Sequence, residues 1–180
     1  MLAGDLTGYR TVCEIMLERF GARAERSFYA AESVVNACVS AAEAVADMKW
    51  LTDIASRAIG PLNGSERALG AALFRAGRYQ EALQRFEQSH EVFQPCAWDF
   101  AFLAMIHSRL GHAAEARRML ENADHWMAEA DKLPPRTVGI ITDGPQWQTV
   151  LEPHTTRLLR GEAEAVILYD PVFPPDPFAH

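Results

Sequence analysis

"LGAALFRAGRYQEALQRF", residues 69–86, alternates very small and very large side chains more strictly than a single amphipathic helix requires. Gly70, Gly77 and Ala82 stand among Leu69, Phe74, Tyr79 and Phe86. The pattern returns 34 residues later as "LAMIHSRLGHAAEARRML", residues 103–120. Leu69 then corresponds to Leu103, Gly70 to Ala104, Arg75 to Arg109, Gly77 to Gly111, Glu81 to Glu115, Ala82 to Ala116 and Phe86 to Leu120; further on, Ser89 corresponds to Ala123. A repeat of this period is the mark of stacked helical hairpins. In each unit a first helix is expected to stop at a glycine that adopts the left-handed conformation, Gly77 or Gly111. Two antiparallel helices approach closely only where one side chain is small and its opposite fills the gap. Gly70 or Ala104, with Ala82 or Ala116, supply the small positions, and Leu69, Tyr79 and Phe86 supply the fill.

The whole chain has 180 residues, 49% hydrophobic and 23% charged, enough for one substantial core. A net charge of -7 speaks against a nucleic-acid or anionic-membrane footprint. Cys13, Cys38 and Cys96 are scattered without a CxxC pair, which reads as small core hydrophobes in a reducing compartment and not as a disulfide framework. The first twenty residues carry Asp5 and Glu14 and show no basic start ahead of an apolar run, and no apolar stretch is long enough to span a bilayer. The expected compartment is the cytoplasm.

Ahead of the two clear units, residues 5–20 place Leu6, Tyr9, Val12, Cys13, Met16, Leu17 and Phe20 on one stripe, with Asp5 as N-cap and Gly21 as stop. Set against the repeat, this is the second helix of a unit, so the chain is expected to begin in mid-unit. A less cleanly amphipathic helix follows over 26–39. Ser40-Ala-Ala-Glu43 has the capping-box pattern and predicts a helix from there to Ile59, with Val45, Met48, Leu51, Ala55 and Ala58 inward. Residues 1–62 thus read as a degenerate repeat. "GPLNG", 60–64, ends that helix, and Asn63 or Ser65 caps the next. Pro95 separates the clear repeats. After about residue 131 the pattern fails, and "KLPPRTVGIITDGPQ" reads as a loop with a short β-like core. Pro153 suits the first turn of a last helix to about Leu168, with Leu158, Leu159, Val166 and Ile167 apolar. That helix is the expected cover for the end of a solenoid. The tail, 169–180, is proline-rich and reads as extended or disordered.

These positions resemble the tetratricopeptide repeat (TPR) family. Residues 63–96 carry Leu69, Gly70, Gly77, Tyr79, Ala82 and Phe86, with Glu66 in place of an early aromatic. Residues 97–130 carry Phe100, Leu103, Ala104, Gly111, Ala116, Leu120 and Ala123, with His107 and Ala113 at aromatic positions. More narrowly, "LAGDLTGYRTVCEIMLERFG" and "AWDFAFLAMIHSRLGHAAEARRML" look like the repeat regions at the C-terminal ends of bacterial serine/threonine kinase or WD40-type signalling proteins. The resemblance implies an all-α, TPR-like helix-turn-helix solenoid of about seven to eight helices over residues 1–168, with a capping helix at about 153–168. It implies a non-catalytic protein-interaction module holding a peptide or helix segment in a concave groove. The alternative is a C-terminal structural or regulatory region of such a larger kinase or WD40-repeat protein. Carried over by position, the groove is lined by Arg67, Ala71, Phe74 and Arg75, then Trp98, Ala101, Met105, Ser108 and Arg109. Of these Arg67, Phe74, Arg75, Trp98, Met105 and Arg109 have the side-chain types enriched at binding hot spots or suited to an acidic ligand. The family's clamp for a terminal carboxylate is not supported, because Ala71 replaces one of its residues.

Catalysis and cofactors find little in the chain. Metal sites on helices favour ligands three or four apart, whereas His107 and His112 are five apart and are expected on different faces of the turn region. No G-x-S-x-G occurs, Cys13 and Cys38 fall on apolar stripes, and Cys96, at a repeat boundary, is the one cysteine expected to be exposed. The glycine-rich loop, strand lysine and HRD-type segment of a kinase are all missing. "GIITDGP", 139–145, lacks the βαβ context of a nucleotide site. The expectation is no enzyme activity, no cofactor, no metal, and a protein or peptide partner in place of nucleic acid or membrane.

Overall fold

The computed structural model of the chain describes residues 5–24, 28–57, 65–132 and 153–169. Among the described residues the protein is all-α, with eight helices and no strand: α1 (Leu6–Ala24), α2 (Phe28–Cys38), α3 (Met48–Arg57), α4 (Ser65–Arg75), α5 (Tyr79–His90), α6 (Ala97–Arg109), α7 (Ala113–Asp131) and α8 (Pro153–Leu168). "GPLNG", Asn63, residues 133–146 of the expected β-like loop, and all but the first residue of the tail lie outside the described residues. The chain forms two compact units, Met1–Phe93 and Gln94–His180.

The paired hairpins α4–α5 and α6–α7 carry the repeat into the backbone. Gly77 and Gly111 sit at φ 77° and 78°. Each is followed by the same pair of bonds: Gly77 N–H to Phe74 carbonyl (3.0 Å) and Arg78 N–H to Leu73 carbonyl (2.9 Å), then Gly111 N–H to Ser108 carbonyl (3.1 Å) and His112 N–H to His107 carbonyl (2.8 Å). This is the Schellman helix end, in which a left-handed residue lets the chain turn back and satisfy two carbonyls of the last helical turn. The small residues lie where the helices meet. A Cβ added at Gly70 would come 2.9 Å from the Phe86 ring and 3.3 Å from the Ala82 carbonyl oxygen. In the second hairpin Ala104 and Leu120 stand at the corresponding positions, both buried.

In the first unit α4 packs on α5 and also on α3 and α2, while α1 packs on α2. Phe86, Leu51, Ile54, Val35, Val39 and Cys13 are the largest of its fully buried side chains among the described residues. Asp5 caps α1 through the Gly8 N–H (2.8 Å). The helix does not stop at Gly21 but continues to Ala24; the glycine serves a close approach, since a Cβ there would meet the Trp50 ring at 2.6 Å. Tyr9, Cys13 and Leu17 form the buried row, whereas Val12 and Phe20, expected on the same stripe, are exposed.

The helix expected from Ser40 begins instead at Met48. The Ser40 hydroxyl donates to the Asn36 carbonyl (2.8 Å) and so finishes α2. Glu43 takes a left-handed conformation (φ 56°), with Arg10 of α1 holding both its carbonyl (3.0 Å) and its carboxylate (2.7 Å). Asp47 then caps α3 by accepting the Trp50 N–H (2.9 Å). Leu51, Ile54 and Ala55 face inward, Val45 is buried in the turn, and Ala58 lies outside the described residues.

In the second unit α6 packs on α7 and α8 packs along both. α8 begins at Pro153 as expected, but its inner row is Leu159 and Ala163, and Leu158 is exposed. Arg160 forks onto Asp124 (2.7 and 3.2 Å) and Arg157 reaches Asp131 (3.2 Å), so partners rise along α7 as they fall along α8 and the two run antiparallel. No described helix is long and apolar enough to cross a membrane.

Candidate functional site

The six residues carried over as groove-lining form two sets of three, on α4 and on α6. On α4, Arg67 is buried with its guanidinium 5.5 Å from the Phe93 ring. It also faces Glu32 of α2, whose carboxyl burial pushes up, against the lowering effect of the Arg67 charge. Phe74 is buried and tilts against Tyr79 at 5.7 Å. Arg75 is half-buried, lies 5.4 Å over the Phe74 ring, and donates from Nε to the Val39 carbonyl (2.9 Å). Val39 is the residue after α2, so Arg75 brings a cation and a donor to carbonyls that a helix end leaves without partners. That capping role joins positions 36 apart in sequence, and no local pattern announces it.

On α6 the carried-over row starts half-buried at Trp98, is enclosed at Ala101 and Met105, and emerges at Ser108 and Arg109. The Trp98 ring tilts over Phe102 with centroids 4.6 Å apart. Met105 has no exposed surface. A side chain without exposed surface offers a ligand no contact, which leaves Trp98 and Arg109 as the accessible pair of this set.

Three further arrangements were hidden from sequence reasoning. Asp99 is wholly enclosed and accepts the Cys96 N–H (2.9 Å), closing the start of α6. Cys96 itself is buried, contrary to expectation, and stands at the N-cap of that helix. In the first unit Cys13 and Cys38, scattered in sequence, meet between α1 and α2 beside Tyr9, whose hydroxyl donates to the Ala37 carbonyl. The hydrogen bond from Cys38 pulls the Cys13 thiol down to about 7, and the same bond together with burial pushes Cys38 far up. Burial also raises the Tyr9 phenol.

The third concerns the histidines. His107 and His112 do not point to different faces: the turn through Gly111 brings their rings to 5.5 Å between centroids and their Nδ1 atoms to 3.2 Å. They stand at the two positions of a Schellman end whose side chains meet. Among the described residues no group of three or more His, Cys, Asp or Glu is arranged to hold a metal ion. Compared with family models, with curated proteins and with solved structures, the chain matches none.

Proposed function

We propose that this chain is a non-catalytic, TPR-type interaction module that acts in the cytoplasm and holds an acidic or amphipathic peptide segment of a partner protein. The observation that supports this reading is the recurrence of one hairpin at a 34-residue interval, with the same left-handed stop and the same pair of closing bonds at Gly77 and Gly111. Stacked hairpins of that period serve in general as extended binding surfaces. On α6, an exposed guanidinium at Arg109 and a half-buried indole at Trp98 are side chains of the kind that dominate protein interfaces. Arg109 suits a carboxylate, and Trp98 supplies apolar area at little entropic cost.

The test is a selection of peptides displayed on phage against the purified full chain, followed by titration of the selected peptides. Acidic or amphipathic sequences should be enriched, and Arg109→Glu or Trp98→Ala should weaken them by about tenfold or more, within the range of single interface anchors. Far-UV circular dichroism of both variants should match the parent. Selection of nothing, or of peptides indifferent to both changes, overturns the reading.

A further inference from the structure

We infer that His107 and His112 form a two-imidazole chelate for a divalent transition ion of the zinc-to-copper kind, independent of whatever binds α6. The backbone builds the pair. The bond from His112 N–H to the His107 carbonyl (2.8 Å) ties the second residue past the helix to the last full turn, and Gly111 at φ 78° directs the chain back across the helix end. The identical turn in the first unit carries Leu73 and Arg78 at these two places. The second unit therefore replaces both members of a side-chain contact with ligating groups.

Their separation suits an ion. Zinc binds imidazole nitrogen at about 2.0–2.1 Å in a tetrahedral shell, so two neighbouring nitrogens lie about 3.3 Å apart. The two Nδ1 atoms are 3.2 Å apart and the ring centroids 5.5 Å, so the rings meet nearly end-on, and holding an ion requires each ring to tilt by roughly 35° to turn its lone pair toward a common point. Without an ion, one ring must carry its proton on Nδ1 and donate to the other; with one, both rings carry the proton on Nε2 and turn lone pairs to the metal. His112 is exposed and His107 half-buried, so water completes the shell. The site sits at the C-terminal end of α6, where the aligned peptide dipoles favour positive charge. Imidazole selects zinc, nickel and copper over magnesium, which demands oxygen ligands.

Zinc ion titrated into the purified full chain against a competing zinc indicator tests this, with the melting temperature followed in parallel. The parent should bind one equivalent and melt higher with zinc, since a ligand of the folded state stabilises it. His112→Gln, at an exposed position, and His107→Gln should each weaken binding by about tenfold or more and abolish the rise in melting temperature. His125→Gln, exposed on α7, should behave as the parent, and magnesium should do nothing. No binding by the parent, or binding that persists in His112→Gln and so belongs to the thiols, overturns the inference.

Discussion

Replacing Gly70 with alanine sets two effects against each other. Helix propensity favours alanine by about 1 kcal/mol. Packing opposes it, because the new Cβ would lie 2.9 and 3.0 Å from two carbons of the Phe86 ring and 3.3 Å from the Ala82 carbonyl oxygen. The ring is fully enclosed and the oxygen belongs to the backbone of α5, so neither yields without moving that helix. Overpacking of this kind costs about 1–3 kcal/mol, and Gly70→Ala is expected to lose about 1 kcal/mol net. Phe86→Leu alone leaves a void at an enclosed site and costs about 1–2 kcal/mol. Together the two changes give the first hairpin the Ala104–Leu120 combination of the second. The double variant should then lie within about 1 kcal/mol of the parent, a coupling of about 1–2 kcal/mol. Urea denaturation of the four proteins, followed by circular dichroism, measures this, with equal m-values as the condition for comparing midpoints. Additive losses would refute the close approach of α4 and α5, and so would a Gly70→Ala variant stabilised by the full propensity difference.

Gly77→Ala and Gly111→Ala should each cost about 1–2 kcal/mol in thermal denaturation; nothing lies within 4 Å of either added Cβ, so the loss is one of backbone conformation alone. Arg75→Met keeps most of the apolar stem and removes the donor to Val39, for an expected loss of about 1–2 kcal/mol; an unchanged urea midpoint would show that the cap contributes nothing. For the thiol pair, Cys13 titrates lower in the folded chain (about 7) than the usual 9.0, so the unfolded state holds more protons between these values and stability should rise with pH across that window. Cys38 and Tyr9 shift the other way, so above about pH 9 the folded state retains protons that the unfolded state releases, and stability should fall. Denaturation midpoints measured from pH 6 to 10.5 should show that rise and fall, and Cys13→Ala should remove the rise.

The two hairpins were legible because their demands are local and written in glycine: a left-handed stop at Gly77 and Gly111, and a close approach at Gly70, leave marks that survive translation by 34 residues. The start of α3 was not. Ser40 and Glu43 satisfy a capping pattern, and what decides against it is an arginine on α1 and a carbonyl on α2, both brought there by packing. Arg75 and Arg109 hold equivalent positions, yet among the described residues it is Arg75 that is seen to meet a helix end, because Val39 lies beside α4. The α6 row could be recognised as a row, but whether Met105 or Arg109 reaches solvent depends on what packs against the helix. The histidine pair is not legible from helical spacing, which holds only as far as the end of the helix. Beyond Gly111 the chain reverses, and residues five apart become neighbours.

A left-handed residue that closes α4 and α6 at the same point of the cycle also fixes how long those helices must be. One residue inserted between Gly70 and Gly77 would turn everything before it by about 100° and slide it about 1.5 Å along the axis. The vacancy facing Phe86 would then be occupied by a bulkier neighbour. Variation within each hairpin is accordingly confined to exchange of side chains, and gain or loss of residues is tolerable only in the connections that lie between hairpins.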